Sequence, residues 1–141
     1  MKPEISAHPF WSEFFRRGIP LHPELADKNP TGKNMRKIAP GIGNRVQVDI
    51  NWSASCVSLR PLSRKPENLR VLIQDRQAFE EQVGVPEEWS EGSSEHLGIT
   101  VLPAPRSQQK SWSTERQVTE ALQLYGRSKE FLQPRMLQSE L

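Results

Sequence analysis

The sequence predicts a single α+β domain, in which a small antiparallel sheet is covered by helices on one face. Apolar residues alternate with polar ones in one stretch, as in a strand with one buried face, and recur at helical spacing in three others. The elements follow the order α, β, β, α, β, α without an internal repeat, which favours segregated helices over a doubly wound fold. A length of 141 residues suits one domain, here residues 1–141.

The first element is a short helix built on aromatic residues. They recur at positions i, i+1, i+4 and i+5, which gives one wide apolar stripe: Phe10, Trp11, Phe14 and Phe15. Pro9 suits the first turn of this helix, and Gly18 ends it. The following segment, 19–44, is rich in proline and glycine, so we expect a basic loop with one helical turn near Glu24–Lys28.

A β-hairpin is predicted next. Residues Val46–Trp52 alternate between apolar and polar side chains, the pattern of a half-buried strand. The stretch Cys56–Leu62 is the returning strand, in which Pro61 must lie at an edge or a terminus because proline cannot donate a ladder hydrogen bond.

The second half of the chain predicts a helix, a third strand and a final helix. The second helix opens at Pro66 and ends at Gly84, with a strand over Leu69–Ile73 as the alternative for its first part. The third strand covers His96–Leu102. The last helix starts with a capping box formed by Thr114 and Gln117 and stops before Pro134, which leaves 134–141 as a flexible tail. Its apolar face is predicted to contain Val118, Ala121, Leu122, Tyr125 and Leu132.

Composition excludes several classes of protein. Cys56 is the single cysteine, so the chain has no internal disulfide and no multi-cysteine metal site. No apolar run approaches the ~20 residues of a membrane span, and Met1–Ala7 lacks the apolar segment of a secretory signal. These features predict a cytoplasmic protein without a membrane partner.

The net charge of +2 conceals two blocks of opposite sign. Between residues 28 and 48 the chain has cations and no carboxylate, and between residues 77 and 105 it has glutamates and no cation. The cations are Lys28, Lys33, Arg36, Lys37 and Arg45. The glutamates are Glu80, Glu81, Glu87, Glu88, Glu91 and Glu95. A flexible, cationic segment is typical of a loop that lies along phosphates, although such loops are more often plain solvent-facing connections.

Residues that could carry catalysis have simpler structural explanations. Cys56 lies among apolar residues of a strand, which predicts a buried structural role. The histidines His8, His22 and His96 lack the spacing of helical metal ligands, so we expect surface or capping roles. Asp49 with Glu80 or Glu81 resembles a nuclease metal site only weakly, and Asp49 is expected to face solvent. Most of the tryptophans are expected in the core rather than stacked on bases: Trp11, Trp52, Trp89 and Trp112. We therefore expect no catalytic residue, no metal and no cofactor.

Several short motifs, taken in order, resemble those of an uncharacterised bacterial domain usually found after nuclease domains of the PD-(D/E)xK type. They are Phe10–Phe14, Gly41–Gly43, Phe79–Gly84, Glu88–Trp89, Trp112 and Phe131–Arg135. The resemblance implies a free-standing accessory domain with an α+β fold. The sequence departs from the pattern in its longer, proline-rich basic segment before Gly41.

Together, these observations predict a non-enzymatic accessory domain that contacts DNA or a DNA-processing protein, such as a nuclease subunit. The expected contact residues are Lys28, Lys33, Arg36, Lys37, Arg45 and Arg127. The alternative is an assembly module, a homodimer or a subunit of a complex, which binds through Glu80, Glu81, Glu87 and Glu88. A cryptic metal-dependent nuclease is the third and weakest interpretation.

Overall fold

The computed structural model of the chain describes residues 8–30, 37–42, 46–53, 56–62, 75–88 and 100–139. These residues form one antiparallel sheet with helices, which confirms the α+β prediction. The elements are α1 (His8–Gly18), a 3₁₀ helix (Pro23–Asp27), β1 (Lys37–Ile38), β2 (Gly41–Ile42), β3 (Val46–Ser53), β4 (Cys56–Leu62), α2 (Arg76–Val83), β5 (Val85–Glu88), β6 (Thr100–Leu102), α3 (Arg106–Gln109) and α4 (Thr114–Ser139).

The sheet has the order β1/β2, β3, β4, β6, β5. Strands β1 and β2 pair with successive parts of β3, with Ile38 opposite Ile50 and Ile42 opposite Val46, so they are two pieces of one edge strand. Pro40 lies between the pieces, and its carbonyl oxygen accepts a hydrogen bond from the Val48 N–H at 3.0 Å. The segment predicted as loop therefore contains an edge strand, in addition to the 3₁₀ helix found at the expected helical turn.

The hairpin of β3 and β4 is confirmed, with a continuous register from Gln47 opposite Leu62 to Ser53 opposite Cys56. Pro61 lies near the end of β4, beyond the pairing of Leu59 with Val101 of β6, as a residue without an N–H requires. Cys56 is buried, as predicted.

One face of the sheet packs against α1, α2 and α4 to form the core. Phe10 of α1 stacks on Trp52 of β3 with ring centroids 5.8 Å apart, and Phe79 of α2 meets Phe131 of α4 edge to face at 5.2 Å. All five apolar residues predicted for the inner face of the last helix are buried. Trp11 and Trp52 lie in the core and Trp112 packs against it, whereas Trp89 lies outside the described residues.

Two buried glutamines join helices α3 and α4 to the sheet. The Gln117 side chain accepts a hydrogen bond from Trp52 Nε1 at 3.0 Å and donates one to the Ser53 carbonyl at 3.2 Å. The Gln109 side chain accepts from the Val57 N–H at 2.8 Å and donates to the Ala104 carbonyl at 2.9 Å. Both amides therefore supply hydrogen bonds to N–H and carbonyl groups that are buried away from water.

The predicted capping box at the start of α4 is wrong. Gln117 faces the sheet, and the Ser113 hydroxyl caps the helix by accepting a hydrogen bond from the Arg116 N–H at 3.1 Å. Thr114 is the first residue of the helix and not its cap, and the hydrogen bonds of Gln117 to Trp52 and Ser53 keep its side chain away from the helix start.

The end of α4 also differs from the prediction. The helix continues through Pro134 to Ser139, so residues 134–139 are helical instead of a flexible tail. Proline removes the hydrogen bond to the carbonyl four residues earlier, here that of Glu130. Glu130 and Pro134 are both exposed, so water can replace that bond and the helix need not stop.

Helix α2 ends at Gly84, as predicted, and β5 follows at once as a strand that the sequence did not indicate. The glycine is needed for close approach, because a Cβ atom at this position would lie 2.6 Å from the Leu102 carbonyl oxygen of β6. The predicted start of this helix is wrong, because α2 begins at Arg76 and the preceding Asp75, with φ −105° and ψ 29°, is outside the helical conformation. The predicted opening at Pro66, the alternative strand Leu69–Ile73 and residues 96–99 of the third strand lie outside the described residues, whereas β6 confirms the last part of that strand.

Candidate nucleic-acid interface

The second face of the sheet, opposite the core, carries polar and charged side chains. Alternation along β3 places Val48 and Ile50 in the core, so Asp49 lies on this second face. Arg60 of β4 is directly opposite Asp49 in the register, and Lys37 Nζ of β1 lies 3.8 Å from Asp49 Oδ2. This face therefore has two cations around one carboxylate.

Asp49 is buried, contrary to the prediction of a solvent-facing residue. Its side chain is only 11% exposed, against 40% for that of Lys37. The Arg60 Nε atom is also buried and has no hydrogen-bond partner within the described part of the chain. The Lys37 ammonium is consequently the group of this cluster that solvent and a ligand can reach most easily.

The structure describes only part of the basic segment 28–45. Lys28 directly follows the 3₁₀ helix, where its N–H donates to the Leu25 carbonyl at 3.1 Å, and Lys37 begins the edge strand β1. Lys33, Arg36 and Arg45 lie outside the described residues. The described ends thus tie the segment to the helical layer at one side and to a sheet edge at the other.

Arg127 does not belong to the same surface as Lys37. Its side chain is exposed on α4 and donates a long hydrogen bond of 3.4 Å to Gln123 of the same helix. Helix α4 packs on the core face of the sheet, whereas Lys37 lies on the second face. The structure therefore separates two residues that the sequence analysis assigned to one contact.

The predicted acidic site lies at the far edge of the sheet. Glu80 and Glu81 belong to α2, and Glu87 and Glu88 belong to the edge strand β5. Strand β5 is four strand spacings from β1, a distance of about 19 Å at ~4.8 Å a spacing. Lys37, which lies 3.8 Å from Asp49, is therefore remote from the described glutamates of β5.

A second group of ionisable side chains, which the sequence analysis missed, joins the 3₁₀ helix to α4. Glu24 Oε1 accepts hydrogen bonds from the Tyr125 hydroxyl at 2.8 Å and from Lys129 Nζ. Lys129 Nζ also lies 3.3 Å from His22 Nδ1, and the His22 ring meets the Tyr125 ring edge to face at 4.8 Å. We refer to His22, Glu24, Tyr125 and Lys129 as the ionisable cluster.

Burial and charge shift the titration of this cluster. Burial lowers the pKa of His22, the Lys129 charge lowers it further, and Glu24 only partly opposes both. Burial raises the pKa of Glu24, but hydrogen bonds from Lys129, its own backbone and Tyr125, together with the Lys129 charge, hold it below the usual value. Burial raises the pKa of Tyr125 most, and the hydrogen bond to Glu24 and the negative charge of Glu24 raise it further.

The ionisable cluster corrects the prediction that His22 has a surface or capping role, because its side chain is 15% exposed and contacts α4. The spacing of Tyr125 and Lys129 by four residues places both on one side of α4, which is the one local signal of this contact. His22 and Glu24 are more than one hundred residues away along the chain, so their part in it has no local signal.

The structure and comparisons with known proteins add three findings. Within the described ranges, no three acidic, histidine or cysteine side chains are grouped closely enough to hold a metal ion. No helix in those ranges has the length and apolar character needed to cross a membrane. Comparisons with protein-family models, curated proteins and solved structures found no significant match to this chain.

Proposed function

We propose that this chain is a cytoplasmic, non-enzymatic accessory domain that contacts DNA phosphates through the basic segment 28–45 and the second face of the sheet next to it. One observation carries the proposal: Lys37 lies at the sheet edge opposite to the acidic block on α2 and β5. A basic segment neutralised by those glutamates would attract no polyanion. The resemblance to domains that follow nuclease modules supports the same interpretation.

The side chains of this face favour phosphate contact over base recognition. Next to Lys37 the second face has Asn51 and Ser58, and Gln47 lies four residues from Asn51 along β3; these amide and hydroxyl groups can donate hydrogen bonds to phosphate oxygens. Strands β1 to β4 carry no aromatic residue at second-face positions, so base stacking has no platform there. We expect affinity that depends on salt and little on DNA sequence.

Alanine substitution tests this proposal. Replacing Lys33, Arg36 and Lys37 together is expected to weaken binding equally for unrelated DNA duplexes, measured by fluorescence anisotropy. The dependence of log affinity on log salt should flatten by about 0.9 for each phosphate that the variant no longer neutralises.

A matched pair of single variants locates the contact. Lys37→Ala and Arg127→Ala remove the same charge from opposite sides of the molecule, and we expect only Lys37→Ala to weaken binding. Equal losses would indicate attraction by net charge alone, and no loss in the triple variant would exclude the basic segment as the site.

The opposite charges of the two sheet edges favour one alternative, an assembly module. A basic edge on one copy can meet the acidic edge of the next, which is a head-to-tail contact. Light scattering after size-exclusion chromatography at low and high salt distinguishes the two functions. A salt-sensitive oligomer that does not retain DNA would support assembly and contradict DNA contact.

A further inference from the structure

The contact between Lys129 and His22 fixes the protonation state of the histidine ring. A lysine ammonium donates hydrogen bonds and cannot accept them, so His22 Nδ1, 3.3 Å from Lys129 Nζ, must accept. The ring in this arrangement is neutral, with its proton on Nε2. A second proton on Nδ1 would place an N–H group directly against the ammonium.

Glu24 offers a protonated His22 ring another partner. Its Oε1 atom, which accepts hydrogen bonds from Lys129 and Tyr125, lies 3.9 Å from His22 Nδ1. A small rotation of the ring lets Nδ1–H donate to this oxygen in place of Lys129. The groups that act on His22 are Glu24 of the 3₁₀ helix, Tyr125 and Lys129 of α4, and the Gly18 carbonyl of α1, which accepts the His22 backbone N–H.

We propose that His22 is a proton-sensitive latch for the 3₁₀ helix: protonation of its ring replaces Lys129 as a donor to Glu24 and loosens the attachment of the 3₁₀ helix to α4. Because Lys28 follows this helix directly, the latch controls how firmly the start of the basic segment is held against the helices. This consequence rests on the proposed function, whereas the latch itself does not depend on any ligand.

The direction of the pH effect follows from the lowered pKa of His22. The unfolded chain binds the proton at higher pH than the folded chain, so this group stabilises the fold fully above the ordinary value of about 6.5. Its contribution is lost as the pH falls from that value through the lower pKa of the folded state. Glu24 remains ionised in the upper part of this window, because its own pKa is lowered from 4.5.

Titration of the imidazole by NMR tests the exchange of partners. Lys129→Met removes the opposing charge and is expected to raise the pKa of His22 by about one unit, a tenfold change in the protonation equilibrium. Glu24→Gln is expected to lower it. The control Arg127→Gln removes a charge from the solvent side of α4 and should leave it unchanged. An unchanged or lower value in Lys129→Met would overturn the proposal.

Hydrogen exchange tests the loosening, with rates corrected for the intrinsic effect of pH. The N–H groups of Leu25 and Lys28 should lose protection as the pH falls from about 6.5, the ordinary value for histidine, through the lower pKa of His22 in the folded state. His22→Asn keeps an acceptor near the Nδ1 position but does not titrate, so its protection should stay constant over this range. Equal pH dependence in both proteins would overturn the latch. If the exchange rates change with pH as expected but the protein does not bind DNA, the proposed function is contradicted and the latch is not.

Discussion

Two regions of the molecule attach one element of the fold to another by different chemistry. At Gln109 and Gln117, neutral amides bind backbone groups and an indole N–H of the hairpin. In the ionisable cluster, a carboxylate, an ammonium, a phenol and an imidazole join the 3₁₀ helix to α4. Amides do not titrate, so the first attachment holds at any pH at which the chain is folded. The second depends on the protonation of two of its members.

The largest expected effect concerns the amide attachment. Gln109→Leu would leave the buried N–H of Val57 and the Ala104 carbonyl without their partner, at a cost of about 1–3 kcal/mol for each group. Urea denaturation should show a loss of about 3 kcal/mol in the free energy of unfolding, equal at about pH 5.5 and about pH 7.5. The control is Gln108→Leu at the exposed neighbouring position, where we expect a change within about 0.5 kcal/mol. If the loss of free energy of unfolding in Gln109→Leu depended on pH, the two attachments would not differ in the way proposed.

A smaller effect is expected within the ionisable cluster. Tyr125→Phe removes the hydroxyl that donates to Glu24, which should cost about 1–2 kcal/mol near neutral pH. The lowered pKa of Glu24 means that its ionised form stabilises the fold above about 4.5, and that this contribution is lost as the pH falls through the folded-state value. The difference between variant and parent should therefore shrink in acid. A difference that is the same at every pH would show that the phenol contributes only through packing.

The smallest expected effect is a gain. A Cβ atom at Gly126 would lie 3.7 Å from His22 Nε2, an ordinary van der Waals distance, so alanine fits beside the ring. Gly126→Ala should stabilise α4 by about 0.5–1 kcal/mol because glycine is unfavourable inside a helix. Thermal denaturation should show a higher midpoint. In the control Gly18→Ala the new Cβ would lie 2.7 Å from Leu122 Cδ2, so no such gain is expected. A loss at Gly126 would show that the ring cannot accept a neighbour.

Periodicity predicted the elements that are long enough to show it. The alternation of Val46–Trp52 and the apolar face of α4 each span several repeats, and the structure confirms both. Strands β1 and β2 have two residues each, which is too short for a period to emerge. They are strands because β3 supplies hydrogen-bond partners, and no property of their own sequence indicates this.

The site was predictable only where it depends on composition. The separation of positive and negative blocks along the chain is visible in the sequence, and the sheet keeps Lys37 of β1 and the two glutamates of β5 at opposite edges. The sequence analysis assigned Lys37 and Arg127 to one contact. Lys37 lies on the second face of the sheet, whereas α4, which carries Arg127, packs on the core face. Contacts such as those of Trp52 with Gln117 and of His22 with Lys129 join residues 65 and 107 positions apart, which no local pattern reveals.

Prolines at both ends of the sheet have a consequence for the behaviour of the protein at high concentration. Pro40 interrupts one outermost strand, and Pro86 together with an irregular register interrupts the other. Neither border offers an uninterrupted ladder of donors and acceptors to a further strand, so fibrillar growth from the native state is disfavoured. Self-association through the oppositely charged edges would use side chains instead, and added salt should weaken that contact.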